Sequence, residues 1–366
     1  MKQLGISVYP DLRPFAEIES YIQLASKYNV KRIFSSMFSV KGSNEEIINY
    51  FTQLINCAHQ YDIVVELDVN HEFLDKIGVK PDDLSLFNKM HLDVLRMDVP
   101  YGDNRDIDLC NNPYNIIIEF NASMKDFTHM EYILRYVDNA KIIMGHNFYP
   151  QRYTGMKWQK FIDINNQIKQ LNLDINAFIS SNNKNTHGVW DAKDGLCTVE
   201  MMRGLPIDLQ ARYLSLTYVD NIFIGNAYAS EEEFKQLNNE LNTKGTIVKV
   251  ELEKDITQEE KEILLDYSQH MDMGDSSEWI WRSRMPRIIY KDYDIIPRKF
   301  NNEYFEVGDV VIVNDNYKHY AAEIQVVLQP IINDGTRNLI GHINKEEMVI
   351  FDLLKEKDIV IFRNEL

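Results

Sequence analysis

Cysteine is scarce: three residues in 366, Cys57, Cys110 and Cys197, scattered and without a C-x-x-C pair. That argues against a disulfide framework and a thiolate zinc site, and it fits a cytoplasmic protein. The nine histidines show no H-x-H or H-E-x-x-H spacing, so a histidine-built metal site is not supported either. Basic charge is also short. Lys and Arg number 39 against 56 Asp and Glu, a net charge of -17, which leaves no broad cationic face for nucleic acid or an anionic membrane. An anionic small molecule stays possible as a partner if cations gather locally. No apolar run approaches membrane-spanning length, and the opening MKQLGISVYPD is interrupted by Pro10 and Asp11 too soon for a signal peptide. A Walker motif and a G-x-G-x-x-G loop are absent, and no cofactor is expected.

What is present is a globular composition, 45% hydrophobic and 26% charged, in a chain long enough for two domains. Short β-branched runs alternate with amphipathic segments from the start. The runs are Leu4 to Val8, Arg32 to Ser36, Ile63 to Asp68, Leu92 to Asp98, Ile116 to Ile118, Lys141 to His146, Asp174 to Ile179 and Asn221 to Gly225. Helices are predicted over Glu45 to Tyr61, with Ser43 or Asn44 as N-cap, and over Trp158 to Leu171; Ser230 and Glu233 form a capping box for a last one. Eight strands at this spacing predict an α/β fold, a (β/α)₈ TIM barrel over residues 1–243. From 244 to 366 the pattern changes to TIVKVEL, VGDVVIVN, YAAEIQVVLQ, NLIGHI and DIVIFR, which predicts a small, mostly β domain.

Chemistry in such barrels sits at the carboxyl ends of the strands. Side chains alternate along a strand, so Glu66, Asp68 and Asn70 share a face, as do Val94, Arg96 and Asp98, and Ile117, Glu119 and Asn121. If those faces point inward, Asp68, Asp98 and Glu119 form a rim of three carboxylates, with Glu66 and Arg96 as an ion pair one layer deeper. Carboxylates crowded together raise each other's proton affinity, so one can serve as an acid while another stays an anion, the division of labour that glycosidic cleavage requires. Glu119 is the leading acid or base, Asp98 its partner and Asp68 the third. Asn70 and Asn121 lie beside them. His146, Asn147, Tyr149 and Arg152 follow the sixth strand, and Ser180, Asn182, Lys184 and His187 the seventh, where barrels often hold phosphate. Asn226 follows the eighth and can face sugar hydroxyls. In the second domain, Arg282 and Arg284 stand among tryptophans in SSEWIWRSRMPR and are candidates for an anionic sugar.

The stretches LGISVYPD, RIFSSMF, ELDVN, LRMDVPYG, IIIEFNAS and GHNFYPQRYTG, taken together, resemble the 6-phospho-N-acetylmuramidases, over essentially the whole length. The resemblance implies a barrel joined to a cyclophilin-like domain. It further implies cytoplasmic hydrolysis of the β-1,4 bond between N-acetylmuramic acid 6-phosphate and N-acetylglucosamine in cell-wall recovery, with that phosphorylated disaccharide as partner. Two other readings compete. Three barrel carboxylates can also hold Mg²⁺ for enolate chemistry, and a non-enzymatic binding protein would use the second domain for its partners.

Overall fold

The computed structural model describes residues 2–10, 13–37, 40–123 and 127–365, and for Asp191 the backbone alone. Asp11 of the opening motif and Phe38 of RIFSSMF lie outside the described residues. The chain divides into two compact units, 1–241 and 242–366.

In the first unit eight parallel strands close on themselves in chain order: β1 (Gln3–Ser7), β2 (Val30–Ser36), β3 (Val64–Val69), β4 (Val94–Met97), β5 (Ile117–Asn121), β6 (Ile142–Gly145), β7 (Asp174–Ile179) and β8 (Asn221–Ile224), with β8 returning to β1. They are the predicted runs, with ends shifted by at most three residues. Both faces of each strand are covered, so Ile, Val, Leu and Phe fill them almost continuously. The helices follow their sequence signals. Asn44–His59 begins in a capping box, with the Ser43 hydroxyl accepting from Glu46 N and the Glu46 carboxylate accepting from Ser43 N. Ser230 and Glu233 close the same reciprocal pair before Glu231–Asn242.

Register between strands fixes the height of each inward side chain. Asp68 stands opposite Arg96, and Arg96 opposite Glu119. The three are therefore level and face the same side.

The second unit carries β9 (Thr246–Leu252), β10 (Ile280–Ser283), β11 (Tyr304–Phe305), β12 (Asp309–Val313), β13 (Ile324–Val327), β14 (Ile331–Ile332), β15 (Arg337–His342) and β16 (Val360–Asn364). Six of them make one sheet in the order β10-β13-β12-β15-β9-β16, and β11 pairs with β14. The strand β10, which carries Trp281 and Arg282, is one edge of that sheet.

Candidate active site

Arg96 organises the barrel mouth. Its Nε donates to Glu119 Oε1 at 2.9 Å, its Nη1 to Asp68 Oδ1 at 2.5 Å, and its Nη2 to Asn147 Oδ1 at 2.5 Å. Asp98 Oδ1 lies 3.6 Å from the same Nη1. Burial works against the Arg96 charge, but Asp68, Glu119 and Asp98 outweigh it and hold its proton above the ordinary range. The expected Glu66–Arg96 pair is not formed. Glu66 instead lies 3.5 Å from Arg32 and accepts from Asn176 at 3.1 Å, because Arg96 sits level with Asp68 rather than beside Glu66. Asn176 also donates to Glu119, and Asn221 donates to Asn176 Oδ1 at 2.7 Å, so a buried polar chain runs up the barrel from β8 to the mouth.

The three carboxylates do not share one rim. Asp68 and Asp98 line a cavity of about 210 Å³ with Ser36, Arg96, Asn147, Pro150, Trp190 and four apolar side chains, and Glu119 is not among its walls. Glu119 is 0% exposed and is bonded to Arg96 Nε from outside the cavity wall. Nor is mutual repulsion the main cause of the raised proton affinity of Asp68 and Glu119. Burial is the largest effect on Asp68, Arg96 opposes it, and Asp98 and Glu66 add to it, which together push its carboxyl up to about 7. Burial likewise raises Glu119, with help from Glu66 and against Arg96. The side chain of Asp98 is 38% exposed. A buried acid raised toward neutrality thus faces the cavity beside a more exposed aspartate.

The β6 strand makes room for this arrangement through Gly145. A Cβ there would lie 1.7 Å from Glu119 Oε1 and 2.3 Å from its carboxyl carbon. Only a residue without a side chain fits.

The other predicted residues separate into groups. Arg152, Ser180, Asn182, Lys184 and His187 line a second, larger cavity of about 940 Å³, together with Arg13, Lys193, Arg203, Asp194 and Glu200. Five cations there face two carboxylates, in a chain whose net charge is -17. Arg152 pairs with Asp194 at 3.0 Å and Arg203 with Glu200 at 2.8 Å. Several residues brace loops. Asn226 is spent at both ends of its amide on Ser181, Asn70 caps the helix His71–Ile77 through Phe73 N, and Asn121 donates to Asp98 O and accepts from Ser123 N. Tyr149 N donates to Cys197 O, and Tyr149 O accepts from Arg203. His146 turns away from the mouth, bonded through Nε2 to Asn165 at 2.7 Å and packed on Phe161, and burial lowers its pKa to about 4. In the second unit Arg282 grips buried Glu323 at 2.8 and 2.9 Å, and Arg284 lies 3.1 Å from Asp275.

Sequence reasoning missed Trp190, which lines the carboxylate cavity yet is 72% exposed, with a left-handed backbone at φ 57°. Left-handed geometry disfavours a bulky side chain. Gly188 N donates to Ala192 O at 2.8 Å and Ala192 N to Val189 O at 3.1 Å, and these bonds hold the turn. Asn176 and Asn221 were missed too, although a lone Asn within each apolar run was a signal that a partner waited inside.

These features define a two-domain α/β-barrel protein with an acid-and-arginine mouth. Residues 4–239 match the model of the 6-phospho-N-acetylmuramidase N-terminal domain and residues 246–363 that of its C-terminal domain, so the chain belongs to the 6-phospho-N-acetylmuramidase family, whose name is that of a glycosidase. Among solved structures, an uncharacterized B. cereus protein is 35% identical over 99% of both chains, with a TM-score of 0.88. A conserved Enterococcus faecalis protein of unknown function is 24% identical over 99% of this chain and 96% of its own, with a TM-score of 0.71. No curated protein matches the chain.

Proposed function

We propose that the protein hydrolyses the β-1,4 bond between N-acetylmuramic acid 6-phosphate and N-acetylglucosamine in the cytoplasmic recovery of cell-wall fragments. The observation that carries this reading is the pair at the small cavity: buried Asp68, whose carboxyl burial pushes up to about 7, beside the more exposed side chain of Asp98, both within reach of Arg96. Glycosidic cleavage needs an acid and a carboxylate at once. Asp68 gives its proton to the departing O4 of N-acetylglucosamine while Asp98 attacks the anomeric carbon. Water, deprotonated by Asp68, then opens the resulting ester. Both carboxyls reach the same Arg96 nitrogen, at 2.5 and 3.6 Å, so their nearest oxygens are no farther apart than those lengths laid end to end. That upper bound falls short of the ~6.5–9.5 Å of inverting enzymes and admits the ~5–5.5 Å of retaining ones. Glu119, walled off from the cavity, takes the part of a positioning residue that aims Arg96.

The larger cavity is assigned to the phosphate, for its excess of cations over carboxylates. The metal-dependent alternative is disfavoured by Arg96, whose guanidinium fills the place a divalent cation would take among the three carboxylates. The test is release of N-acetylglucosamine from the phosphorylated disaccharide and from its unphosphorylated parent. Charge-assisted hydrogen bonds contribute about 1.5–3 kcal/mol, so kcat/KM is expected to favour the phosphorylated form by about 10- to 100-fold. Equal rates on the two, or none on either, would count against the reading.

Trp190 supplies an exposed aromatic face beside the acid pair. Stacking against a sugar ring is worth about 1 kcal/mol, by analogy with aromatic pairs. Trp190→Ala is expected to raise KM several-fold with a smaller change in kcat, and Trp190→Phe to restore most of it. Steady-state kinetics check this, and an unchanged KM in the alanine variant would remove the platform.

A further inference from the structure

We infer that Asn147 reads the 2-acetamido carbonyl of the sugar ring held between Asp68 and Asp98, by donating a side-chain amide N–H to it. The inference rests on the glycosidase reading above and adds a specificity-determining residue to it.

The orientation of the Asn147 amide follows from chemistry. Its oxygen lies 2.5 Å from Arg96 Nη2, and a guanidinium can only donate hydrogen bonds. An amide turned the other way would set N–H against N–H, so the oxygen end is pinned to Arg96. The nitrogen end is then directed elsewhere, and it has no protein partner among the described residues. Asn147 is only partly buried and lines the small cavity with Asp68, Arg96 and Asp98.

The chemistry of the neighbouring walls decides what this N–H meets. Asp98 offers acceptors, the Asp68 proton is committed to the departing oxygen, and each nitrogen of Arg96 already serves Glu119, Asp68 or Asn147. Sugar hydroxyls carry hydrogens and can be taken by carboxylates. A carbonyl oxygen carries none, so it needs a neutral or cationic donor. The acetamido carbonyl is a neutral acceptor that the carboxylates cannot satisfy and the Asn147 amide can, whereas the ring's anionic groups, the lactyl carboxylate and the phosphate, are disfavoured beside Asp68 and Asp98. Binding that oxygen also keeps it from attacking the anomeric carbon, consistent with Asp98 as nucleophile.

The test uses the full chain and two aryl glycosides of the 6-phosphorylated muramyl ring, one with its 2-acetamido group and one with a 2-hydroxyl in its place. Asn147→Asp keeps the oxygen that Arg96 requires and deletes the donor. The wild type is expected to prefer the acetamido substrate, and the Asp variant to lose about 10- to 100-fold in kcat/KM on it, with a much smaller change on the hydroxyl analogue. Asn147→Ala, compared by the same ratio within one protein, guards against an effect of the added charge on Asp68. A residue that merely braces Arg96 would leave the substrate ratio unmoved, since both substrates need the same guanidinium. If the wild type cleaves but both variants keep its preference, this assignment is overturned while the glycosidase reading stands; if the wild type cleaves neither glycoside nor the natural disaccharide, the two fall together.

Discussion

Asp68→Asn is expected to lower turnover of the phosphorylated disaccharide by about 10²- to 10⁴-fold, the range for loss of a positioned general acid. The replacement is isosteric and can still present an oxygen to Arg96 Nη1, so the fold and the Arg96 contact to Glu119 should survive. What disappears is the proton. In the wild type burial raises the Asp68 carboxyl to about 7, so kcat should decline as pH rises through that value, the limb set by a group that must be protonated to act. Stability follows the same group. Its folded pKa is raised above the ordinary aspartate value of about 3.9, so its contribution is complete below that ordinary value and is lost as pH rises through about 7. Asp68→Asn should flatten that slope in thermal melts across the interval. Near-native turnover in this variant, or an alkaline limb unaltered by it, would leave Asp68 without the acid's role.

Gly145→Ala is the second large effect. The added methyl would lie 1.7 Å from a carboxylate oxygen of Glu119, itself fully buried and bonded to Arg96 and Asn176. Neither neighbour offers space, so the clash passes through Glu119 to Arg96 and on to Asp68. Overpacking of this kind destabilises by about 1–3 kcal/mol, and turnover should fall by more than the melting temperature suggests, because the acid pair is displaced along with the packing. Melts and kcat on one preparation check this. A variant as stable and active as the wild type would show that Glu119 can move aside, and that the seat of Arg96 does not depend on it.

Strand identity was legible in the sequence because each barrel strand is a buried β-branched run closed by polar residues, and parity correctly put Asp68, Arg96 and Glu119 on one face. Height was not legible. Parity within β4 says that Arg96 lies below Asp98, but only pairing across strands sets Arg96 level with Asp68 and Glu119, and that offset moved Glu119 from an expected rim position to one beside the guanidinium and outside the cavity wall. The loop residues after β6 and β7 were legible as a polar set, yet their division between two cavities depends on how the loops fold back: Asn147 goes to one, Arg152 and Lys184 to the other. Trp190 was hidden for a related reason. An aromatic residue in a loop is ordinarily tucked inward, and the turn that leaves this one outside is made by backbone bonds between residues without a distinctive pattern.

The hydrogen-bonded column from Asn221 through Asn176 and Glu119 to Arg96 gives this barrel an unusual interior. Apolar side chains of matching volume at those positions would often leave a barrel equally firm or firmer, yet the Nε side of the guanidinium would then have no partner. Rigidity at the business end is thus supplied by polar groups of the barrel interior on β5, β7 and β8, and a search for thermostable variants that refilled those positions with aliphatic residues would select sturdy proteins with a slack, misaligned entrance.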